Sequence, residues 1–349
     1  MRKYILPIFI FIISEVYAII PSGYYNSANG LNERHLKTAL HNIINNHINV
    51  GYKNLYDVYA ESDVNNDTII DIYSTCIFMI NNLSQRCGNY TNICDCNNRE
   101  HIIPQSWFYE KDPMKSDAFH IYPTDGKVNG IRSNYPHGET DADPVGGNGL
   151  GKLGISSVSG YNNIVFEPVD EYKGDIARSY FYFITRYEDQ LSGFKNVVFD
   201  NNTYPGLQDW FLNLMLQWHR QDSVSTKEIN RQEAIYKFQN NRNPFIDHPE
   251  LVEHIWGDKK NIAWTTTITT STDNIELDDI SLHILNKSFF ISSDYYSNLE
   301  YVLYDISGCI IMKDKINPDK IISLENLNRG IYILVVISNN ITHSYKIIL

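Results

Sequence analysis

Residues 98–104 read Asn-Arg-Glu-His-Ile-Ile-Pro, a run that sets a carboxylate beside an imidazole ahead of two isoleucines and a proline. Adjacent side chains of a strand point to opposite faces, so Glu100 and His101 can serve one site only near a strand end or a bulge. Pro104 is consistent with a strand that stops there, because proline has no N–H to donate to a neighbouring strand. We therefore expect the pair at the end of a short strand.

A second group of polar side chains follows downstream. Asp117, His120 and Asp125 precede Asn129, which lies between two glycines. Carboxylate and amide oxygens are the ligands that Mg²⁺ prefers, and a neutral histidine nearby can take a proton from water. The two groups together are compatible with metal-assisted hydrolysis. A Glu-His pair alone is more often structural, and its order does not match the HExxH pattern of zinc proteases.

The surroundings of the pair carry a more specific signal. Residues 98–108, Asn-Arg-Glu-His-Ile-Ile-Pro-Gln-Ser-Trp-Phe, resemble the signature of the bacterial endonuclease I family, which belongs to the ββα-metal (His-Me finger) nucleases. Further blocks similar to this family follow in the same order at residues 116–135, 176–187 and 239–249. The resemblance covers roughly residues 20–256, and it departs from the family pattern at Phe119, where a histidine is common.

This resemblance implies a role for each of three residues. His101 would be the general base that activates the attacking water, and Glu100 and Asn129 would be the protein ligands of a single Mg²⁺, with Mn²⁺ or Ca²⁺ as alternatives. The implied fold is α+β, with a hairpin that carries Glu100 and His101, a following helix that presents Asn129, and further helices around them. The implied products carry 5′-phosphates.

Several basic and polar residues are additional site candidates. Arg132 follows Asn129 by one helical turn, so we predict that it either contacts a phosphate as part of the catalytic site or holds the helix through an ion pair. Weaker candidates, for phosphate binding or for hydrogen bonds that support the metal ligands, are Arg99, Asp117, His120 and Arg242. For the two arginines in that set, structural pairing is the competing interpretation.

The N-terminus predicts export. A short basic start precedes an apolar run, and residues 16–18 read Val-Tyr-Ala, so we interpret residues 1–18 as a signal peptide cleaved after Ala18. The apolar run is too short to span a bilayer, and we expect no stable membrane span elsewhere. The mature protein is predicted to be exported and monomeric.

Four of the five cysteines cluster just upstream of the Glu-His pair, at Cys76, Cys87, Cys94 and Cys96. An exported protein can form disulfides, and we favour Cys87–Cys96 as a bridge. A zinc site is the alternative, although no paired CxxC motif or matching histidine pair completes a tetrahedral site. Cys309 stands apart, as a small core residue or a free thiol.

Periodicity divides the rest of the chain. Apolar residues at helical spacing predict a helix over 33–48 and three more at about 174–190, 207–220 and 225–240, with aromatic stripes that pack in a core. Residues 137–163 are rich in glycine without periodicity, which predicts a long loop. The predicted domains are a nuclease-like domain over 19–262, a Thr-rich linker over 263–275 and a small β-sandwich over 276–349, where short alternating runs are separated by turns.

The last of these domains also shows a resemblance. Residues 302–308, Val-Leu-Tyr-Asp-Ile-Ser-Gly, and residues 329–332, Arg-Gly-Ile-Tyr, resemble the sorting domain of the type IX secretion system. The opening Pro-Asn-Pro that is usual in such domains is missing. The resemblance implies that the secretion machinery is a partner and that the protein is secreted or displayed at the cell surface.

Charge is the main argument against a nucleic-acid substrate. The formal net charge is −12, and an acidic balance disfavours a polyanion. Contact with DNA must then rest on local Arg and Lys clusters and on the metal. The leading hypothesis is a non-specific endonuclease that hydrolyses DNA, with RNA as a further substrate. The alternatives are a catalytically inactive, surface-attached nucleic-acid-binding protein and a phosphodiesterase of small substrates.

Overall fold

The computed structural model describes residues 20–21, 23–195, 197–265, 281–285, 288–292, 299–306, 308–317, 320–328, 330–338 and 341–348. The chain divides into two compact units, Met1–Thr265 and Thr266–Leu349. The first unit mixes helices and sheets, and the described part of the second contains strands, so the fold class is α+β as predicted. The predicted signal peptide and residues 266–275 of the predicted linker lie outside the described residues.

The α-helices of the described residues all lie in the first unit. They are α1 Glu33–Ile44, α2 Leu55–Ser62, α3 Gly126–Arg132, α4 Lys173–Arg186, α5 Asp209–Gln221, α6 Thr226–Gln239, α7 Pro244–Asp247 and α8 Leu251–Ile255. Helices α1, α4, α5 and α6 are those that the apolar spacing predicts. Two of them end about four residues before their predicted ends: α1 ends at Ile44, and α4 ends at Arg186, after which a 3₁₀ helix spans Glu188–Gly193. Among the described residues, no helix combines the length and the apolar character that crossing a bilayer requires.

The strands of the first unit form three small antiparallel sheets. The strands are β1 Val64–Asn65, β2 Thr68–Ile69, β3 Asn97–His101, β4 Ile121–Asp125, β5 Pro144–Gly146, β6 Gly149–Ile155 and β7 Ile164–Glu167. Their pairings are β1 with β2, β3 with β4, and β5 with β6 and then β7. The loop predicted over 137–163 is therefore wrong, because it contains β5 and β6. Glycines obscure these strands: Gly146 and Gly147 take positive φ in the turn, and Gly151 lies against the backbone of Glu167.

Helix α4 forms the centre of the first unit. Every residue of α4 is buried, and the helix packs against α1, α5 and α7. The predicted aromatic stripes point into this core: Phe183 and Phe211 are fully buried, as is Trp218 on α5. The stripes therefore serve core packing, as the sequence predicts.

The described residues of the second unit form two antiparallel sheets. Its strands are β8 Ser281–Leu285, β9 Ser288–Ser292, β10 Leu299–Asp305, β11 Ile310–Ile316, β12 Ile322–Ser323, β13 Ile331–Ser338 and β14 Ile341–Ile348. One sheet has the order β11-β10-β13-β14 and the other β12-β9-β8. Phe289 and Ile291 of the smaller sheet share a buried core with Leu303 and Leu334 of the larger one. Cys309 is an exposed free thiol rather than a core residue.

Candidate active site

The Glu-His pair lies at the end of strand β3, which pairs with strand β4 and is close to helix α3. Strand β3 pairs antiparallel with β4, so that Glu100 faces Tyr122 and His101, its last residue, faces Ile121. Helix α3 begins directly after β4. Asp125 joins these elements, because its side chain accepts a hydrogen bond from the N–H of Val128 at 2.9 Å and so caps α3. The order strand, strand, helix brings residues 100, 101 and 129 into one region.

Glu100 is a buried carboxylate with two partners. Its Oε1 forms an ion pair with Nη1 of Arg132 at 3.1 Å and accepts a hydrogen bond from the hydroxyl of Tyr73 at 3.1 Å. Burial raises the pKa of Glu100 to about 7, against the lowering effects of the Arg132 charge and the Tyr73 hydrogen bond. Among the described residues no hydrogen bond to Oε2 is found. That oxygen is available to a further ligand.

His101 is oriented by the backbone. Its Nε2 lies 3.1 Å from the carbonyl of Lys115 and must donate to it, so the lone pair of the neutral ring is on Nδ1. The pKa of His101 is held well below its ordinary value, first by burial and then by the charge of His120. In the described part of the chain no hydrogen-bond partner of Nδ1 is found. A neutral imidazole with a free Nδ1 can accept a proton from water.

Asn129 lies beside the pair on α3. Its Nδ2 donates to the carbonyl of Arg99 at 3.3 Å, next to Glu100 in the chain, which leaves Oδ1 to bind a ligand. The two glycines that flank Asn129 let α3 approach a neighbouring loop. A Cβ at Gly130 would lie 2.5 Å from the Tyr90 hydroxyl, and one at Gly126 would overlap Sγ of Cys87. Both positions therefore require glycine or a shifted neighbour.

That neighbouring loop is closed by disulfides. Cys87 is bonded to Cys96, the pair that the sequence analysis favours, and Cys76 is bonded to Cys94. The Cα atoms of the first pair are 4.9 Å apart. All four clustered cysteines are thus oxidised, so none provides the thiolate that the zinc alternative requires. The Cys87–Cys96 disulfide lies directly on α3 and fixes the position of the helix.

Arg132 is fully enclosed behind the site. Nη1 donates to the carbonyl of His101 at 3.0 Å and Nη2 to that of Ile102 at 2.7 Å, in addition to the ion pair with Glu100. Its side chain is 1% exposed. Of the two predicted roles of Arg132, these contacts match the ion pair that holds the helix. Contact with a phosphate remains a prediction.

The two other arginine candidates are also engaged. Arg99 donates through Nη1 to the carbonyl of Tyr52 at 2.9 Å and lies over the ring of that tyrosine, 3.7 Å from its centroid. Arg242 is buried and donates through Nε to Asp247 at 2.7 Å, with Glu233 as a second partner. Structural pairing, the competing interpretation, accounts for these contacts.

Asp117 and His120 lie in a buried polar network on the far side of His101. Asp117 accepts from the hydroxyls of Tyr182 at 2.9 Å and Tyr187 at 2.8 Å. Burial would raise the pKa of Asp117, but the nearby His47 and His120 hold it below its ordinary value. Burial lowers the pKa of His120 to about 4, and its ring centroid is 5.7 Å from that of His101. Both residues thus support the packing around His101.

Some residues of the site were missed by the sequence analysis. The hydroxyl of Tyr73 bridges Glu100 to Nε2 of His137, which is 2.7 Å away, and Tyr180 lies 3.1 Å from the other ring nitrogen of that histidine. Tyr73 and Glu100 are 27 residues apart, so no local spacing could reveal the contact. Among the described residues, no group of three or more His, Cys, Asp or Glu side chains is placed to hold a metal ion.

Comparison with known proteins gives two family matches. Residues 32–250 match the Endonuclease I family, and residues 285–349 match the secretion system C-terminal sorting domain. An extracellular ribonuclease of Bacillus amyloliquefaciens is 33% identical over 243 residues, which are 67% of this chain and 78% of the relative. An extracellular ribonuclease of Bacillus subtilis (strain 168) shows the same identity and coverage. A periplasmic deoxyribonuclease of Aeromonas hydrophila is 29% identical over 138 residues, 40% of this chain and 50% of the relative.

Proposed function

Because the chain belongs to the endonuclease I family and ends in a type IX sorting domain, we propose that it is a metal-dependent, non-specific endonuclease in which His101 is the general base. That it is a secreted or cell-surface hydrolase of the endonuclease class follows from these matches. The substrates that we propose are DNA and, in addition, RNA. Relatives named for each activity occur, and the ribonucleases match over the longer span.

The observation that carries the proposal is the position of Asn129 beside the strand end that holds Glu100 and His101. We propose that this β3–β4–α3 arrangement is a His-Me finger. Asn129 is anchored to the carbonyl before Glu100, and His101 follows Glu100 at the strand end. One carboxylate oxygen, one amide oxygen and one imidazole nitrogen are thus without a hydrogen bond in the described part of the chain. These are the groups that metal-assisted hydrolysis needs.

The donor set fits a hard divalent cation. Glu100 and Asn129 offer oxygen atoms, which Mg²⁺ prefers, with Mn²⁺ and Ca²⁺ as alternatives. In the described part of the chain Oε2 of Glu100 accepts no hydrogen bond, so this oxygen can bind a cation. When bound, the metal would stabilise the negative charge that develops on the phosphate and on the departing 3′ oxygen.

The residues of the chain would supply the remaining chemistry. Nδ1 of His101 accepts the proton of the attacking water, while the carbonyl of Lys115 fixes the ring through Nε2. Arg132 fixes the Glu100 carboxylate relative to the backbone of His101, because it pairs with the first and donates to the carbonyl of the second. Water attack on phosphorus with release of the 3′ oxygen leaves 5′-phosphate products. A site that contacts a phosphate and reads no base edge has no sequence preference.

The test is cleavage of plasmid DNA and of an RNA transcript by the purified full-length protein, with Mg²⁺ and with EDTA. We expect cleavage with Mg²⁺, none with EDTA, and a loss of about 10²–10⁴-fold in His101→Ala. His35→Ala, at an exposed histidine of α1, is the matched control and should cleave like the wild type. Undiminished cleavage by His101→Ala would overturn the mechanism. A wild type that binds DNA without cleaving it would favour the inactive nucleic-acid-binding protein. Hydrolysis of small phosphodiesters alone would favour the phosphodiesterase of small substrates.

We further propose the domain organisation and the oligomeric state. A signal peptide over 1–18 precedes a nuclease domain over 19–262, a linker over 263–275 and the sorting domain over 276–349. The division between the two compact units after Thr265 supports a boundary in this region. The mature protein is proposed to be monomeric, which its sedimentation would test.

A further inference from the structure

A cleft of about 370 Å³ opens in the first unit, and its lining is unusually aromatic. Trp107, Tyr135 and Tyr161 contribute rings, and Asn163 and Lys195 contribute polar ends. A volume of this size is at the lower end of the range for small-molecule sites. It suits one planar ring system rather than a double helix.

The walls of the cleft are made by the two segments that leave the candidate active site. Trp107 belongs to the 3₁₀ turn Gln105–Trp107 that follows β3, and the next residue, Phe108, has its ring centroid 6.4 Å from that of His101. On the other wall, the N–H of Tyr135 donates to the carbonyl of Arg132 at 3.3 Å, where α3 ends. The cleft is therefore contiguous with the elements that hold the catalytic groups.

One ring of the cleft is already arranged as a stacking platform. Tyr161 lies on Trp210 with ring centroids 4.1 Å apart and planes 9° apart. Trp210 is fixed in turn, because its Nε1 donates to Gln208 at 3.1 Å. Trp210 covers one face of the Tyr161 ring, and in the described part of the chain no second ring stacks on the other face. A planar ligand that enters the cleft can extend this stack.

Positive charge accompanies the rings. Lys195 is exposed and forms no ion pair with any described residue, and the same holds for Lys111. Both amines flank the exposed ring of Tyr109, at 5.8 Å and 5.9 Å from its centroid. In a chain with net charge −12, two unpaired lysines beside the candidate active site are the local cluster that contact with a polyanion requires.

We propose that this cleft binds one unpaired base of a nucleic-acid substrate, stacked on Tyr161, while Lys195 contacts the neighbouring phosphate. The proposal rests on the proposed endonuclease function and assigns it a substrate class. Stacking on aromatic rings with a lysine on the backbone is the usual chemistry of single-strand recognition. Because a paired base cannot enter, single-stranded DNA and RNA segments bind more tightly than the duplex.

The test measures binding separately from cleavage. Full-length His101→Ala protein is titrated with a fluorescent single-stranded oligonucleotide, with its duplex and with a 5′-mononucleotide, by fluorescence anisotropy. Adding Tyr161→Ala should raise the single-strand Kd by about fivefold to a hundredfold and leave the duplex Kd unchanged. Tyr161→Phe keeps the ring and should bind like Tyr161. Lys195→Ala should reduce the slope of log Kd against log salt by about 0.7. Tyr236→Ala and Lys237→Ala, a tyrosine and a lysine of α6 outside the cleft, are the controls.

The outcomes separate the two proposals. An unchanged single-strand Kd in Tyr161→Ala, or an equal loss in Tyr161→Phe, overturns the cleft site, whatever the nuclease activity. Mononucleotide binding that is as tight as that of the oligonucleotide and unchanged by Tyr161→Ala overturns it too. If the parent protein with His101 fails to cleave while the Tyr161 and Lys195 effects appear, the cleft site stands and the proposed nuclease function fails. Thermal unfolding of each variant shows whether it is folded. If Tyr161→Ala is unfolded, the single-strand Kd of Tyr161→Phe decides whether the cleft site stands.

Discussion

Replacing Arg132 with methionine separates a structural from a catalytic role at the candidate site. The guanidinium is 1% exposed, so its contacts are made away from water. It donates to the carbonyls of His101 and Ile102 and pairs with Glu100. Methionine has similar length but no donor, so Arg132→Met removes all three contacts while it fills most of the space.

The expected loss can be worked out from these contacts. A hydrogen bond to a charged group contributes about 1.5–3 kcal/mol, so the two carbonyl bonds together are worth about 3–6 kcal/mol. Breaking a buried ion pair by removal of one partner costs about 3–5 kcal/mol. The three contacts share one guanidinium and their energies are not additive, so we expect a loss of at least about 4 kcal/mol, which lowers the melting temperature of a domain of this size by about 8–16 °C. Adding Glu100→Gln removes the unpaired carboxylate and should recover part of the loss.

Thermal unfolding followed by circular dichroism at the helical signal is the assay, since the described helices all lie in the first unit. Arg220→Met is the matched control, because that arginine is 42% exposed and pairs with Glu253 at the surface, where an ion pair contributes about 1 kcal/mol or less. If Arg132→Met melted with the wild type but lost cleavage, the structural assignment would be wrong and the phosphate role supported.

Three other substitutions test the surroundings of the site by thermal unfolding. Gly126→Ala should destabilise the first unit by about 1–3 kcal/mol because the new Cβ meets the Cys87–Cys96 disulfide. Gly130→Ala should be tolerated because the exposed Tyr90 hydroxyl can move aside. Equal losses of stability in the two variants would refute this contrast. Burial raises the pKa of Asp71 from 3.8 to about 6, so at 1.36 kcal/mol for each pKa unit Asp71 contributes about 3 kcal/mol of stability that is present near pH 4 and lost by about pH 7. The stability of Asp71→Asn should therefore fall less than that of the wild type over this range, and equal falls would contradict this. The pKa of Asp117 is lowered, so its contribution is present at neutral pH and disappears as the pH falls through that pKa; Asp117→Asn should be less stable by about 1–3 kcal/mol at neutral pH, with a deficit that shrinks in acid rather than grows.

The sequence predicts the elements whose signals are local. The aromatic stripes of α4 and α5 repeat at helical spacing over several turns. Residues 98–104 predict the end of the strand that carries the Glu-His pair. Helix α2, Leu55–Ser62, was missed because it has only eight residues and five of them are buried, so it shows no extended polar face at helical spacing. Strands β5 and β6 were missed because glycines replace the alternating side chains that mark a strand.

The partners of the site residues could not be predicted, because they are set by tertiary contacts. Nothing near Tyr73 indicates that its hydroxyl reaches Glu100. The sequence also does not show which basic side chains are engaged by the rest of the protein. Arg99 and Arg242 are engaged with the protein, whereas Lys111 and Lys195, which no motif marks, remain unpaired in the described part of the chain. Only the folded chain shows which positive charges are available.

Helix α3 has seven residues, fewer than an isolated helix needs to persist in water. It is held from outside, by the Asp125 cap, by the Cys87–Cys96 disulfide and by the Arg132 contacts with the end of β3. Such a helix cannot fray independently of the elements that hold it. Its backbone amides should exchange with solvent only through the global opening of the first unit, at the rate of the most protected core amides. The presentation of Asn129 is thus a property of the whole domain rather than of its own short segment.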